Sequence, residues 1–242
     1  MLELVDVHKS YHDGESELEV LRGVELRLAA GESVALRGES GSGKSTLLQI
    51  AAGLESPDRG SVCIDGHDLS GLAEPELAML RREGLGFVFQ QFNLIPGLSG
   101  RENLLFQRRL NRMPDGDSWI DELIVTLELE PLLPRPVEVL SGGQQQRIAI
   151  GRALAHRPRL VFADEPTGNL HDTLSHQVVR LLVRLVQEAG SGLLLVTHSA
   201  KLATFADRRL RLRRGRLVDD IFAPEDSDAE KAGDSDQGQA GA

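Results

Sequence analysis

The glycine-rich segment at residues 38–45 has the residue types and spacing of a phosphate-binding loop. It fits the pattern G-x-x-x-x-G-K-[ST] and consists of Gly38, Glu39, Ser40, Gly41, Ser42, Gly43, Lys44 and Ser45. In such a loop the backbone N–H groups point at phosphate oxygens, Lys44 supplies a cation to the β- and γ-phosphates, and the Ser45 hydroxyl binds Mg²⁺. A glycine-rich turn without a ligand is the alternative, but a chain of this length matches the pattern by chance only about 1% of the time.

Two carboxylates at the end of the apolar run 159–165 could complete the chemistry. Asp164 ends a predicted strand, where it can hold Mg²⁺ through water, and Glu165 points differently and can act as general base toward an attacking water. An acidic pair alone can also cap a loop, and a phosphate loop alone leaves kinases, GTPases and ATPases open. Together the two features indicate nucleotide hydrolysis.

A second anion site is predicted at the start of the helical stretch 142–155. The segment is Leu140-Ser141-Gly142-Gly143-Gln144. Ser141 alone would be an ordinary helix N-cap, but glycine inside a helix costs about 1 kcal/mol, so stability does not explain two glycines. The exposed N–H groups would instead bind phosphate. Because one nucleotide does not need two cradles from one chain, the natural ligand is the nucleotide of a neighbouring copy.

Short apolar runs predict the strands that position these residues. Residues 2–7 and 20–28 alternate apolar and polar side chains, and residues 33–36 lead into the glycine-rich loop, which precedes a predicted helix at 45–54. Four further runs have the length typical of strands buried on both faces of a parallel sheet, and they lie at residues 61–64, 86–89, 160–163 and 193–196.

The interval from residue 91 to about residue 157 carries no strand pattern and is predicted to be a helical insertion in an α/β core. Helical stretches lie near residues 101–110, 117–129 and 142–155, and a proline-rich connector (Pro131, Pro134, Pro136) precedes the last of them.

Composition describes one substantial domain of ordinary polarity, with 242 residues, 40% hydrophobic and 26% charged. The formal charge of −10 argues against a general nucleic-acid or anionic-membrane binder. Residues 219–242 carry −7 of it, and residues 223–242, which lack large apolar side chains, are predicted to be a disordered acidic tail. With one cysteine, no secretion signal and no 18-residue apolar stretch, we expect a cytoplasmic protein.

Five motifs, in this order and spacing, resemble the nucleotide-binding subunits of ABC transporters. They are GESGSGKST (38–46), GFVFQQFNLIP (86–96), LSGGQQQR (140–147), ADEPTGNL (163–170) and VTH (196–198). The second and fourth are most similar to the lipoprotein-release, macrolide-export and cell-division group. The resemblance implies an α/β fold, a P-loop NTPase with a RecA-like core, an antiparallel β edge and an inserted ABC-type helical subdomain. It divides residues 1–222 into a core of 1–90 and 157–222 and a helical subdomain of 91–156.

The resemblance also implies roles for single residues. Tyr11 matches the aromatic that stacks on adenine, although a core tyrosine is the alternative, and Thr46 completes the phosphate loop. Gln90 matches the glutamine that contacts Mg²⁺ and the attacking water. His198 matches the histidine that contacts the γ-phosphate, although a lone histidine is more often structural. The implied catalytic set is Glu165, His198 and Gln90, and the implied Mg²⁺ ligands are Ser45, Gln90 and Asp164.

One position departs from the family pattern. After Leu170 the family has an aspartate in a loop that crosses the dimer interface, and this chain has His171 there, with Asp172 one residue later. We expect Asp172 to be the N-cap of the following helix.

The implied cycle involves ATP, Mg²⁺ and a homodimer that closes head to tail, with residues 141–144 of each copy on the nucleotide of the other. The dimer would drive separately encoded transmembrane permease subunits at the cytoplasmic face of the inner membrane, for export or for lipoprotein or lipid extraction, without nucleic acid. Two alternatives stay open: an ATPase of a non-transporting complex that regulates cell-division or cell-wall enzymes, and a soluble ABC ATPase.

Deletion of residues 224–242 should leave ATP hydrolysis largely intact, because the acidic segment lies beyond every motif that carries chemistry. Steady-state phosphate release by the full-length and truncated chains measures this. Loss of activity in the truncated chain would show that the segment belongs to the ATPase.

Overall fold

The computed structural model describes residues 1–14 and 16–220, and it contains two β-sheets with helices packed around them. The described strands are Leu2–Asp13 (β1), Ser16–Leu28 (β2), Ser33–Arg37 (β3), Arg59–Ile64 (β4), His67–Asp68 (β5), Leu85–Phe89 (β6), Leu160–Asp164 (β7), Gly192–Val196 (β8), Arg208–Arg213 (β9) and Arg216–Asp219 (β10). The described α-helices are Lys44–Ala51 (α1), Glu74–Gly84 (α2), Gly100–Leu110 (α3), Ser118–Thr126 (α4), Gly142–Leu154 (α5), Asp172–Glu188 (α6) and Ala200–Ala203 (α7).

The larger sheet has six strands in the order β10-β9-β3-β8-β7-β6. All neighbours pair in parallel except β9 and β10, which form an antiparallel hairpin. The strands β3, β7 and β8 are almost wholly buried, as their continuous apolar sequences predict for a sheet covered on both faces. This sheet is the α/β P-loop core that the sequence predicts.

The smaller sheet is antiparallel, in the order β2-β1-β4-β5. It corrects one prediction, because residues 61–64, which the sequence predicts in the parallel sheet, pair antiparallel with β1. Only Val62 and Ile64 of this run are buried, whereas Ser61 and Cys63 are half-buried. A four-residue apolar run does not distinguish a strand covered on one face from one covered on both.

Each face of the six-stranded sheet supports its own core, because side chains alternate along the strands. On β7, Phe162 faces the antiparallel sheet and α1, while Val161 faces the helices that surround α5. Leu194 and Leu195 on β8 divide in the same way. Full burial of such a side chain stabilises the fold by about 1.5–3 kcal/mol.

Between β6 and β7 the chain is helical, and it includes α3, α4 and α5. The helix α4 is shorter than the predicted 117–129 because it ends at Thr126. The division of the chain into a core and a helical subdomain stays a prediction, and the acidic tail lies outside the described residues. Among the residues described, no helix combines the length and the hydropathy needed to cross a bilayer.

Arg108 connects three of these helices although its side chain is completely buried. Its guanidinium donates to the carbonyl oxygens of Pro114 (2.7 Å) and Ala155 (2.9 Å) and to the Asp117 carboxylate (3.0 Å). It thereby ties the end of α3 to the start of α4 and the end of α5.

Arg108→Met should lower the free energy of unfolding by about 3 kcal/mol, because it leaves the buried Ala155 carbonyl group and the Pro114 carbonyl group without this donor and removes the charge-assisted hydrogen bond to Asp117. Urea denaturation followed by circular dichroism measures the loss. The matched control is Arg109→Met, which breaks an exposed ion pair with Asp115 and should cost less than about 1 kcal/mol. Equal losses in both variants would contradict the structural role of Arg108.

Candidate active site

The candidate site lies at the carboxyl edge of the parallel sheet, where three loops leave neighbouring strands. Val196 pairs with Leu36 on one side and with Asp164 on the other, so β3, β7 and β8 end at the same level. The glycine-rich loop, the Asp164–Glu165 pair and His198 therefore meet at one edge. This is the general position of ligands in open parallel sheets.

The glycine-rich loop begins directly after β3 and ends at the first turn of α1. Gly43 is the N-cap of α1, with φ of 98° and no side-chain hydrogen bond to the first turn. A Cβ at Gly43 would lie 2.5 Å from the Val20 side chain, so glycine is required there. The uncapped N–H groups at this helix start are donors for an anion.

Lys44 and Ser45 lie within the same small volume as Asp164. The Lys44 ammonium donates to the carbonyl oxygens of Gly38 (3.0 Å) and Glu39 (2.8 Å), and Ser45 Oγ lies 3.4 Å from Asp164 Oδ2. In the described structure Lys44 thus satisfies the carbonyl groups of its own loop. A phosphate would offer it a stronger partner, because charge-assisted hydrogen bonds exceed neutral ones.

The rest of the loop presents polar atoms to a ligand. Ser42 Oγ is buried and has no hydrogen-bond partner among the described residues. Ser40 and Gly41 form the exposed tip of the loop, and Glu39 extends away from it to Arg211 at 3.7 Å. Thr46 lies in the first turn of α1.

The oxygens of Ser45 and Asp164 fit a magnesium ion. Mg²⁺ prefers hard oxygen ligands and usually takes one or two from the protein, with phosphate and water completing its shell. No cluster of three or more histidine, cysteine or acidic side chains suited to a metal occurs in the described part of the chain. Burial raises the pKa of Asp164, while the Ser45 hydrogen bond and the Lys44 charge lower it. An added cation would relieve the cost of this buried carboxylate.

Glu165 and His198 are in direct contact. Glu165 Oε2 lies 2.9 Å from His198 Nδ1 and accepts a weaker hydrogen bond from the His198 backbone N–H at 3.4 Å. The Glu165 side chain is 20% exposed and the His198 side chain 74%. Glu165 also has φ of 45°, a left-handed conformation that costs a non-glycine residue about 1–3 kcal/mol. Strain of this kind is typical of residues whose orientation matters to function.

Gln90 follows β6 and lies against the loop after Glu165. A Cβ on Gly168 would come within 2.6 Å of Gln90 Nε2, and the Asn169 side chain donates to the Gln90 carbonyl oxygen at 2.9 Å. In the described structure no hydrogen bond joins the Gln90 amide to Ser45 or Asp164. Its predicted contact with Mg²⁺ stays a prediction.

The helix α5 begins at the predicted Ser141 cap, and Gly143 in its first turn packs against α6. Ser141 Oγ accepts from the Gln144 N–H (3.4 Å), and the Gln144 side chain accepts from the Ser141 N–H (3.0 Å). A Cβ on Gly143 would meet the Leu174 side chain at 2.6 Å, whereas one on Gly142 would make only ordinary contacts. Gly143 therefore packs closely against α6, a contact that the sequence does not predict.

The helix α6 corrects a further prediction. His171, and not Asp172, is the N-cap, and it makes no side-chain hydrogen bond to the first turn. The helix begins at Asp172, so the N-cap is His171, which occupies the position where the family has an aspartate.

Tyr11 lies near the end of β1 and is 40% exposed, so it is not a core tyrosine. Its hydroxyl donates to both carboxylate oxygens of Glu55, at 2.9 and 2.8 Å. Sequence reasoning missed Glu55, because an acidic residue after a helix carries no motif, and only the distant pairing of β1 with β4 brings it near Tyr11.

Known proteins are similar to this chain over most of its length. A family model described as ABC transporter matches residues 21–168. The lipoprotein-releasing system ATP-binding protein LolD of Nitrobacter hamburgensis is 43% identical over 219 residues, which cover 89% of this chain and 94% of LolD. The macrolide export ATP-binding/permease protein MacB of Marinobacter nauticus is 43% identical over 226 residues, or 92% of this chain. The chain spans only 35% of the length of that MacB.

Solved structures show the same fold. The dimeric structure of MJ0796, described as a bacterial ABC transporter cassette, matches with a TM-score of 0.80 at 38% identity and covers 90% of this chain and 96% of that one. A dimeric post-hydrolysis state of MJ0796 bound to ADP and Pi matches with a TM-score of 0.80 at 37% identity, covering 90% and 98%.

Asp164→Asn should stabilise the nucleotide-free chain at neutral pH, because the raised pKa of Asp164 shows that its charged form is disfavoured by folding. Below the unfolded-state pKa both states carry a neutral carboxyl group, so the gain should disappear as the pH falls toward the ordinary value of 3.8. Urea midpoints of both chains between neutral and acidic pH measure it. A variant less stable than the parent at neutral pH would contradict this account of Asp164.

Proposed function

The chain belongs to the ABC transporter family, and we propose that it hydrolyses ATP as a homodimer to drive separate transmembrane permease subunits. The observation that carries the proposal is the meeting of Lys44, Asp164 and the Glu165–His198 contact at one sheet edge. The identity with LolD over nearly its whole length supports the same function.

The phosphate loop binds the triphosphate of ATP. Backbone N–H groups before and within the first turn of α1 donate to phosphate oxygens, and the Lys44 ammonium exchanges the carbonyl groups of Gly38 and Glu39 for the β- and γ-phosphates. Ser45 and Asp164 would hold Mg²⁺, which neutralises charge on the phosphates when bound. Tyr11 stacks on adenine.

Hydrolysis uses Glu165 as the general base. Its carboxylate accepts a proton from water as the water oxygen bonds to the γ-phosphorus, and the bond from that phosphorus to the bridging oxygen of ADP breaks. His198 holds Glu165 Oε2 at 2.9 Å, and its exposed ring would contact the γ-phosphate. Asp164 contacts Ser45 whereas Glu165 contacts His198, so the two carboxylates take separate roles.

A second copy completes each site. The N–H groups of Gly142 and Gly143, which the Ser141 cap leaves free, would donate to the γ-phosphate held by the partner and stabilise its charge in the transition state. Two-fold symmetry makes two equal sites in the dimer. The dimeric structures of MJ0796 support this arrangement for the present chain.

Membrane subunits in separate chains would transmit the cycle to a transported molecule at the cytoplasmic face of the inner membrane. The relative LolD is named as the ATP-binding protein of a lipoprotein-releasing system, and MacB as an ATP-binding/permease protein for macrolide export. By these relatives we propose export, or lipoprotein or lipid extraction. The segment from Gln90 to the helices α3 to α5 would carry the coupling.

Glu165→Gln should lower the ATP turnover rate by about a hundredfold or more, because general-base catalysis contributes roughly 10²–10⁴. ATP affinity should persist, since the amide leaves the phosphate loop untouched, and ATP should trap the dimer. Phosphate release, equilibrium binding of ATP and size-exclusion chromatography measure the three effects.

The matched control is Glu74→Gln, which alters an exposed glutamate paired with Arg81 on α2 and should leave all three measurements unchanged. Normal turnover in the Glu165→Gln chain would refute the assignment of the general base.

A further inference from the structure

The Tyr11 hydroxyl is bound by the carboxylate of Glu55, which lies outside the five sequence motifs. Both Glu55 oxygens accept from the Tyr11 hydroxyl, at 2.9 and 2.8 Å, and the Thr46 side chain lies close to the same hydroxyl. A single hydroxyl shared between two carboxylate oxygens has little freedom to move. The ring is consequently held next to the first turn of α1, where the phosphate loop ends.

Lys9 and Asp58 complete a cluster with Tyr11 and Glu55. The Lys9 ammonium lies 3.0 Å from Glu55 and 3.3 Å from Asp58, and 5.6 Å from the centre of the Tyr11 ring. The Ser10 N–H donates to Asp58 at 2.7 Å. Glu55 and Asp58, two acidic side chains of one loop, thus bind three consecutive residues of β1, which are residues 9–11.

The cluster lies where the antiparallel sheet narrows to two strands. The pairing of β1 with β4 ends at His8, and beyond that point the backbone of β1 is paired with β2 alone. A two-stranded ribbon is marginally stable without further support. The loop that contains Glu55 follows the end of α1, so the cluster ties the ribbon to the helix whose start binds phosphate.

We propose that Glu55 is a positioning residue for the nucleoside, which holds the Tyr11 ring at a fixed place beside α1 and so sets the affinity for the adenine part of ATP without touching it. The proposal rests on the proposed function, in which Tyr11 stacks on adenine. An unanchored ring would have to be ordered when ATP binds, and ordering a side chain at a binding site weakens the affinity. The phosphate part of ATP would be bound as before.

The test compares Mg·ATP with inorganic tripolyphosphate, which has no nucleoside, by isothermal titration calorimetry on the full chain. Glu55→Ala should weaken ATP binding about fivefold and raise KM by the same factor, with kcat changed by less than about twofold, because ordering one side chain has an effect of this size. Tripolyphosphate affinity should not change. Glu55→Gln keeps an acceptor for the hydroxyl and should restore most of the ATP affinity.

A double-mutant cycle tests whether Glu55 acts through Tyr11. Tyr11→Phe keeps the ring but removes the anchored hydroxyl, so the double variant with Glu55→Ala should bind ATP no more weakly than the weaker single variant. The matched control is Glu3→Ala, which removes an exposed ion pair with Arg27 at the other end of β1 and should leave both affinities unchanged.

The outcomes separate this inference from the proposed function. The proposed function itself would be contradicted if the parent chain bound no ATP. It would also be contradicted if the Lys44→Ala variant bound ATP as tightly as the parent chain. Normal ATP binding by the parent and by Glu55→Ala would overturn only the positioning role. Equal losses for ATP and tripolyphosphate would also overturn it, because they would show that Glu55 supports the phosphate loop and not the nucleoside.

Discussion

Val196 pairs with Leu36 on one side and with Asp164 on the other, and the rest of the candidate site depends on this register. The Glu165 N–H donates to the Val196 carbonyl oxygen at 3.0 Å. The strands β7 and β8 therefore end at the same level of the sheet. A slip of one residue would turn every side chain of a strand to the opposite face. It would therefore turn Asp164 away from Ser45 and exchange the two cores of the sheet. The apolar side chains on both faces fix the register that the chemistry needs.

Several features of the site weaken the fold and are accounted for by a charged ligand. The helix α1 begins at Gly43 without a side-chain cap, which leaves donors free, and Ser42 Oγ is buried without a partner among the described residues. Asp164 is a half-buried carboxylate with a raised pKa, and Glu165 has a left-handed backbone. Local rules of stability fail together in one place, as is typical of functional sites. A polyanion with its cation would satisfy the donors and the carboxylate at once.

The helix α5 connects the candidate site to the segment that follows Gln90. The Arg152 guanidinium donates to the carbonyl oxygens of Asn93 (2.6 Å) and Phe92 (3.0 Å), two residues with positive φ. At the other end of the same helix, Gly143 packs against Leu174 of α6. A rigid helix with contacts at both ends transmits displacement along its length, so a movement at residues 140–144 would reach the loop after Gln90. This arrangement gives the proposed coupling to membrane subunits a physical route.

The amino-acid sequence by itself determined the phosphate loop, the acidic pair and most of the central strands, because these depend on residues close together in the chain. Glycine spacing around Lys44 and an apolar run that ends at Asp164 are local patterns, and a local pattern is preserved whatever surrounds it. Only the tertiary structure decided that residues 61–64 join an antiparallel sheet, that Gly143 packs on α6 and that Glu55 anchors Tyr11. Each of these depends on the register and the crossing of distant elements. Such contacts form between common residue types that lie far apart in the chain, and no local pattern indicates that they meet.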